Sequence, residues 1–173
     1  MGGSFYGTPG VPALEEWSCR FPPASVTLRD LKTGREIREP SLVAAQVKRT
    51  AGSRFPAEIQ RYLAAGKAAR TCVSGPDVMV FAPLRRGQVA YYTGTVYLLQ
   101  ALLRQLRPWP VKPVLWLQAQ TQTTEVERTA LFEAGIQAGA RKVFLYQEPF
   151  LFQEKSGLLL TIEPQEKPEE LSV

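Results

Sequence analysis

Residues 124–149 read TEVERTALFEAGIQAGARKVFLYQEP, and this stretch carries the clearest structural signal in the chain. Thr124 followed three residues later by Glu127 is the pattern of a capping box, so a helix is expected to begin here. Gly139 is a typical helix-ending residue, because glycine adopts the left-handed conformation without strain. The apolar run at 143–146 then predicts a buried strand. The stretch therefore predicts a helix, a tight stop, a strand and a carboxylate after the strand.

Two further strands and one further helix are predicted before this stretch. Residues 78–82 (VMVFA) and 114–117 (VLWL) are short continuous apolar runs, as expected for strands covered on both faces. Between them, Thr95 can cap a helix with leucines along one side. These leucines are Leu98, Leu99, Leu102, Leu103 and Leu106. Strands that alternate with helices predict an α/β fold with parallel crossovers.

The N-terminal half predicts an antiparallel meander of three strands. Alternation around Val26 and Leu28 predicts the first strand, a turn at 32–34 returns the chain, and residues 41–48 predict the third strand. After Pro56 the pattern changes, because apolar residues recur at spacings of three and four and predict a helix. The residues of this pattern are Ile59, Tyr62, Leu63 and Gly66.

The two ends of the chain differ in composition from its middle. Residues 1–23 contain four Gly and four Pro, which predicts an irregular lead-in. Residues 163–173 contain four Glu and a single Lys, which predicts a disordered acidic tail. Residues 24–162 are therefore predicted to form the folded unit, one domain in a chain of 173 residues.

Residue counts exclude several kinds of functional site. The chain has no His, which excludes a Ser-His or Cys-His pair, and Cys19 and Cys72 lack the usual zinc-site spacing. No charged-then-apolar leader opens the chain, so we expect a cytoplasmic location. The net charge of +5 comes from scattered basic residues. A basic nucleic-acid-binding module stays an alternative, although no sequence motif supports it and nucleic acid is not the expected partner.

Three blocks of the chain resemble the MreB family of bacterial actins. Residues 39–44 (EPSLVA) are similar to the family's Glu-Pro-Ser-Val-Val-Ala, and residues 82–90 (APLRRGQVA) resemble its Arg-Pro-Leu-Lys-Asp-Gly-Val-Ile-Ala. Residues 124–149 carry the strongest similarity, and the three blocks follow the family order. The resemblance implies a partial ribonuclease H-like, actin-like lobe, in which a three-stranded meander precedes parallel strand-helix units.

The resemblance also implies where a nucleotide would bind. Actin-like ATPases hold the triphosphate between two glycine-containing hairpins, and the first hairpin of MreB, Asp-Leu-Gly-Thr-Ala-Asn-Thr, falls on residues 20–26. Arg20 replaces the metal-side Asp, Pro22 replaces the Gly, and Pro23 has no N–H to donate. The second hairpin falls beyond residue 173 in the family order. We therefore expect no cofactor, no metal and no ATPase activity.

Two further positions bear on catalysis. Tyr91 stands where the family pattern leads us to expect an Asp. Glu148 falls at the position of the family's water-positioning acid, although a carboxylate at a strand end can also serve as a cap. Without triphosphate or metal this carboxylate has nothing to hydrolyse. The catalytic set is thus expected to be empty, with Glu148 as its one remnant.

The resemblance implies a non-catalytic MreB-like protein that acts as a structural or regulatory interaction partner of the cell-shape cytoskeleton. An ATP-binding actin-like subunit completed in trans by a second chain is the alternative. The expected partner is an MreB-like protein or a second copy of this chain. Trp109, with Arg107 close by in sequence, is expected in a Pro-flanked loop near the position of the family's membrane-contacting loop. We predict that this loop contacts a partner or the inner face of the membrane.

Overall fold

The computed structural model describes residues 15–49, 58–106, 112–120, 122–147, 150–152 and 159–162. Three helices and twelve strands are defined within these residues. In chain order they are β1 (Glu16–Arg20), β2 (Ser25–Asp30), β3 (Glu36–Pro40), β4 (Val43–Lys48), β5 (Glu58–Ala65), α1 (Lys67–Arg70), β6 (Val78–Phe81), β7 (Leu84–Arg85), β8 (Gln88–Val89), α2 (Tyr92–Leu106), β9 (Val114–Gln118), α3 (Glu125–Ala138), β10 (Lys142–Tyr146), β11 (Phe150–Phe152) and β12 (Leu159–Ile162).

A five-stranded mixed sheet forms the centre of the molecule, with the strand order β10-β9-β1-β2-β3. β1, β2 and β3 pair antiparallel as a meander, whereas β9 pairs parallel with both β1 and β10. The meander was predicted, but it begins one strand earlier than the sequence suggested. The prediction of an irregular lead-in over 1–23 is wrong for residues 16–20, which form the central strand; residues 1–14 lie outside the described part of the chain.

A second sheet of three strands, in the order β5-β4-β6, holds residues that were assigned differently from sequence. β4 was expected to complete the meander, but it pairs with β5 and β6 and not with β3. The strand at 78–81 exists as predicted, yet it runs antiparallel to β4 and is only half-buried. Its apolar run therefore reflects two faces that are each only partly covered.

The helix predicted after Pro56 is a strand, and two β-bulges explain the error. β5 pairs with β4, and the pairing shifts register at two places, so that Ile59 faces Val47 and Tyr62 faces Ala45. A bulge inserts one extra residue into a strand. Apolar residues that would recur every two positions therefore recur every three, which imitates a helix. Gly66 follows the strand and precedes the four-residue α1.

The two long helices pack on one face of the five-stranded sheet and build the main core. Trp17, Cys19, Leu115 and Leu117 of the sheet are all almost fully buried and share one cluster with the helix residues. The predicted leucine stripe of α2 points into this cluster. α2 begins at Tyr92, three residues before the predicted cap, and the Thr95 hydroxyl instead donates to the carbonyls of Pro83 and Tyr91 at 3.0 and 2.9 Å.

Both cysteines are unpaired. Burial raises the pKa of the Cys19 thiol, which lies within β1. Among the helices of the described residues, none is both long and apolar enough to cross a membrane. The predicted acidic tail at 163–173 lies outside the described residues.

Candidate functional site

The carboxyl ends of the parallel strands β1, β9 and β10 form the first candidate site. In open α/β sheets ligands bind at this edge, because the loops that follow the strands can diverge there. Arg20, Gln118 and Tyr146 end the three strands and lie next to one another in the register of the sheet. The Ala119 N–H donates to the Tyr146 carbonyl at 2.8 Å, which keeps β9 and β10 paired up to this edge.

The turn between β1 and β2 covers residues 20–25, where the resemblance places the first phosphate hairpin. The Phe21 ring is buried, and its N–H donates to Gln118 Oε1 at 3.4 Å. The Ser25 N–H donates to the Pro22 carbonyl at 3.3 Å. Pro22 and Pro23 have no N–H. Of the amides at 21–25, only the one of Ala24 is left for an external ligand.

The hairpin of β7 and β8 closes over this turn. Gly87 has φ +79°, and a Cβ added there would lie 3.2 Å from the Gln118 carbonyl oxygen and 3.3 Å from Phe21 Cδ2. Arg86, beside it, also adopts a positive φ of 50°. A side chain at position 87 would press against the backbone of β9, so glycine permits this close approach. Phe21 thus lies packed between the end of β9 and the β7–β8 hairpin.

The acidic residues of the candidate site are few. No group of three or more Cys, Asp or Glu side chains among the described residues could hold a metal ion. Tyr91 is partly exposed, and its ring packs edge-on against Phe81 with the centroids 5.4 Å apart. Glu148, Arg107 and Trp109 lie outside the described residues, so their predicted roles stay predictions.

A second candidate site is the outward side of α3, called here the α3 surface. A shallow pocket of about 490 Å³ lies between the start of α2 and α3. It is lined by Tyr92, Glu125, Val126, Thr129, Ala130 and Glu133. Val126 is 79% exposed beside this pocket. Burial of such an apolar side chain by a partner lowers the free energy of the complex.

Tyr92 gives the pocket a polar group at its base. Its hydroxyl oxygen is buried and makes no hydrogen bond within the described part of the structure. Burial, followed by the negative charge of Glu133, raises the pKa of Tyr92, so the phenol stays neutral and can donate. The α3 surface therefore combines one exposed aliphatic side chain, Val126, with two carboxylates above a buried tyrosine hydroxyl, and Val126 is the group whose burial by a partner is favourable.

Comparison with known proteins identifies the family. The family model for the MreB/Mbl protein matches residues 26–158. The chain belongs to the MreB/Mbl family. The cell shape-determining protein Mbl of Bacillus cereus is 29% identical over 139 residues, which cover 78% of this MreB/Mbl chain and 39% of that protein. The cell shape-determining protein MreB of Haemophilus influenzae is 29% identical over 126 residues, covering 68% of this chain and 33% of that protein.

Solved structures share the fold. MreB5 of Spiroplasma citri, bound to ADP, superposes with a TM-score of 0.61 at 24% identity over 79% of this chain and 39% of that one. The double helical filament of MamK gives a TM-score of 0.54 at 13% identity over 78% of this chain and 41% of that one. The predicted fold class, a partial actin-like lobe, is confirmed. The chain spans less than half of the length of these relatives.

Sequence reasoning identified the unusual residues of the phosphate-hairpin position but missed the packing around them. Arg20, Pro22 and Pro23 were identified from the resemblance to the first MreB hairpin. The burial of Phe21 and its contacts with Gln118 and Gly87 could not, because they join segments that are far apart in sequence. The one available signal was Arg86-Gly87, a pair typical of a tight turn.

Proposed function

We propose that this MreB/Mbl chain is a non-catalytic protein that acts by contact, as a structural or regulatory partner of the cell-shape cytoskeleton. The observation that carries the proposal is the turn at residues 20–25. In this turn two of the backbone donors are replaced by proline, and the ring of Phe21 is packed against Gln118 and Gly87.

A phosphate-binding turn needs free backbone donors. Phosphate oxygens are held by several converging backbone N–H groups, which side chains must not obstruct. Pro22 and Pro23 remove two of these donors, and the N–H groups of Phe21 and Ser25 are already engaged within the protein. Mg²⁺ takes oxygen ligands, so an arginine at position 20 cannot replace a metal-side aspartate.

The proposed partner is a second actin-like chain, either an MreB-like protein or another copy of this one. Support comes from the relatives, which are cell shape-determining proteins, and from MamK, whose solved structure is a filament. We assign that contact to the α3 surface, where Val126 is 79% exposed beside the pocket between α2 and α3. A cytoplasmic location, with Trp109 and Arg107 touching the inner face of the membrane, belongs to the same proposal.

Thermal unfolding with and without Mg·ATP tests the proposal. A ligand present at about 100 times its dissociation constant adds about 2.7 kcal/mol to the stability of the protein that binds it. For a protein of this size that corresponds to a rise in Tm of roughly 5 to 10 °C. We expect no rise for this chain at millimolar Mg·ATP. MreB5 of Spiroplasma citri, solved with AMPPNP bound, is the positive control.

Two outcomes would contradict the proposal, and they differ. A rise in Tm of the chain alone with Mg·ATP, absent with EDTA, would show a working nucleotide site. A rise that needs an added MreB-like protein lacking its own nucleotide-binding residues would favour the alternative of an ATP-binding subunit completed in trans.

A further inference from the structure

The face of the five-stranded sheet opposite α2 and α3 carries a row of side chains defined by strand register. Arg20 lies opposite Thr27 and Thr27 lies opposite Arg38, which makes a row across β1, β2 and β3; at the β10 end of the same register Tyr146, paired with Gln118, is buried with Trp116 and Val114. Side chains at directly paired positions share a face of the sheet. Cys19, Val26 and Leu28 point into the helix-covered core, so alternation places this row on the other face.

The row is basic and contains no carboxylate. Arg20 and Arg38 are exposed, two strands apart, so their Cα atoms are separated by about 10 Å. Arg38 is held in place, since its Nε donates to Ser25 Oγ at 3.1 Å. The acidic residues of this face, Glu36 and Glu16, occupy other rows, opposite Arg29 and Val114.

The chain itself contains a segment with the complementary charge. Glu163, Glu166 and Glu169 recur every three residues, with prolines at 164 and 168. Proline restricts the residue before it to extended conformations. In a polyproline II helix residues three apart lie on one side and are spaced by about 9 Å. This spacing matches the separation of Arg20 and Arg38.

The covalent connection brings the segment to this row. β11 follows β10 after three residues, and Phe150 pairs with Ile162 at the end of β12. Residue 163 therefore starts within roughly 25 Å of Tyr146, because four extended residues and one strand pair separate them. The eleven residues from 163 to 173 can span up to roughly 36 Å. The width of the sheet from β10 to β3 is only about 19 Å.

We propose that the acidic segment 163–173 docks in cis on the arginine row, with two of its glutamates pairing with Arg20 and Arg38. Single exposed ion pairs are weak. Tethering raises the local concentration of the segment to the millimolar range, which favours its own row over a free acidic peptide. The contact is independent of nucleotide binding and of the α3 surface.

Paramagnetic relaxation in the full chain tests the contact. A nitroxide is attached to Ser172→Cys in a Cys72→Ser background, since Cys19 is buried. At about 0.01 M salt we expect broadening of the amide signals of Arg20, Thr27 and Arg38. At about 1 M salt, where the Debye length falls to about 3 Å, the broadening should disappear.

Variants assign the contact to these side chains. Arg20→Gln with Arg38→Gln should abolish the broadening, whereas Arg70→Gln with Arg104→Gln, the same change of charge at exposed sites elsewhere, should keep it. If the Arg20→Gln, Arg38→Gln variant does not fold, the same contact can be tested on the acidic segment. The triple change Glu163→Gln, Glu166→Gln and Glu169→Gln removes the carboxylates and leaves both arginines in place. Broadening that survives the glutamate changes would overturn the proposal. Broadening seen only between a labelled and an unlabelled copy would also overturn it, and would identify a second copy as the occupant.

Discussion

At the start of α3 the side chains of Thr124 and Glu127 each accept a hydrogen bond from the backbone N–H of the other residue. The Glu127 N–H donates to Thr124 Oγ1 at 3.3 Å, and the Thr124 N–H donates to Glu127 Oε2 at 2.9 Å. The backbone hydrogen bond, followed by the one from the Thr124 hydroxyl, lowers the pKa of Glu127. This cap was predicted from sequence because all of its partners lie within four residues of each other.

Replacing Thr124 tests this cap. Thr124→Ala should lower the free energy of unfolding by about 1 kcal/mol near pH 7, because a helix-start amide loses its acceptor. The folded-state pKa of Glu127 lies below the ordinary 4.5, so the charged carboxylate contributes to stability above that pH. This contribution of Glu127 to the free energy of unfolding is lost as pH falls through its folded-state pKa. Urea unfolding should therefore show the deficit of Thr124→Ala shrinking below pH 4.5. Thr124→Ser, which keeps the hydroxyl, should show little deficit; a deficit unchanged at pH 3 would contradict the linkage.

At the scale of elements, a helix or strand was predicted correctly where residues close in sequence determine it. It was predicted wrongly where pairing with a distant segment changes the spacing of its apolar residues. α3 was predicted well, including its end at Gly139, which has φ +117°. β5 was not, because its two bulges are imposed by pairing with β4 and change the spacing of its apolar residues. The burial of Phe21 was likewise missed, since Gln118 of β9 and Gly87 create it.

The contact of α3 with the sheet depends on a small residue. A Cβ added at Gly135 would lie 2.9 Å from Val143 Cγ2 and 3.0 Å from Leu117 Cδ1. Overpacking a core costs about 1 to 3 kcal/mol, against a helix-propensity gain of about 1 kcal/mol. Gly135→Ala should therefore destabilise the protein by about 1 kcal/mol in urea unfolding. Gln137→Ala, on the exposed side of the same helix, is the control and should be near neutral.

A second substitution checks the cause of that loss. Val143→Ala removes Cγ2, the atom nearest to the added Cβ, so combining it with Gly135→Ala should cost less than the two single changes together. Strict additivity would show that the helix is destabilised for a reason other than contact with Val143.

At the scale of the whole molecule, the order of strands and helices was predictable but their division into two sheets was not. The sequence of residues 78–149 alternates between strand and helix signals, and the MreB resemblance supplied the order of the lobe. Nothing local distinguishes β6, which pairs with β4, from β9 and β10, which join the large sheet. Such choices are made by packing across the molecule.

The proposed function requires the whole chain to bind a partner, so its association can be measured as a direct test. Val126 is 79% exposed on the α3 surface, and Val73, at 85%, is a matched valine on another part of the protein. A lysine at either site should change folding stability by less than about 0.5 kcal/mol, since neither side chain is buried. Sedimentation at micromolar concentration should show self-association, or a complex with an added MreB-like protein, that Val126→Lys weakens.

Comparing Val126→Lys with Val73→Lys separates loss of a contact at Val126 from a general effect of added charge. A buried contact loses the transfer free energy of its apolar side chain and must desolvate the new charge, so Val126→Lys should weaken association at least tenfold. Val73→Lys adds the same charge to the chain and should leave association unchanged. Equal weakening by both would make the effect one of net charge. A wild-type chain that stays monomeric and binds no MreB-like protein would remove the contact on which the proposed function depends.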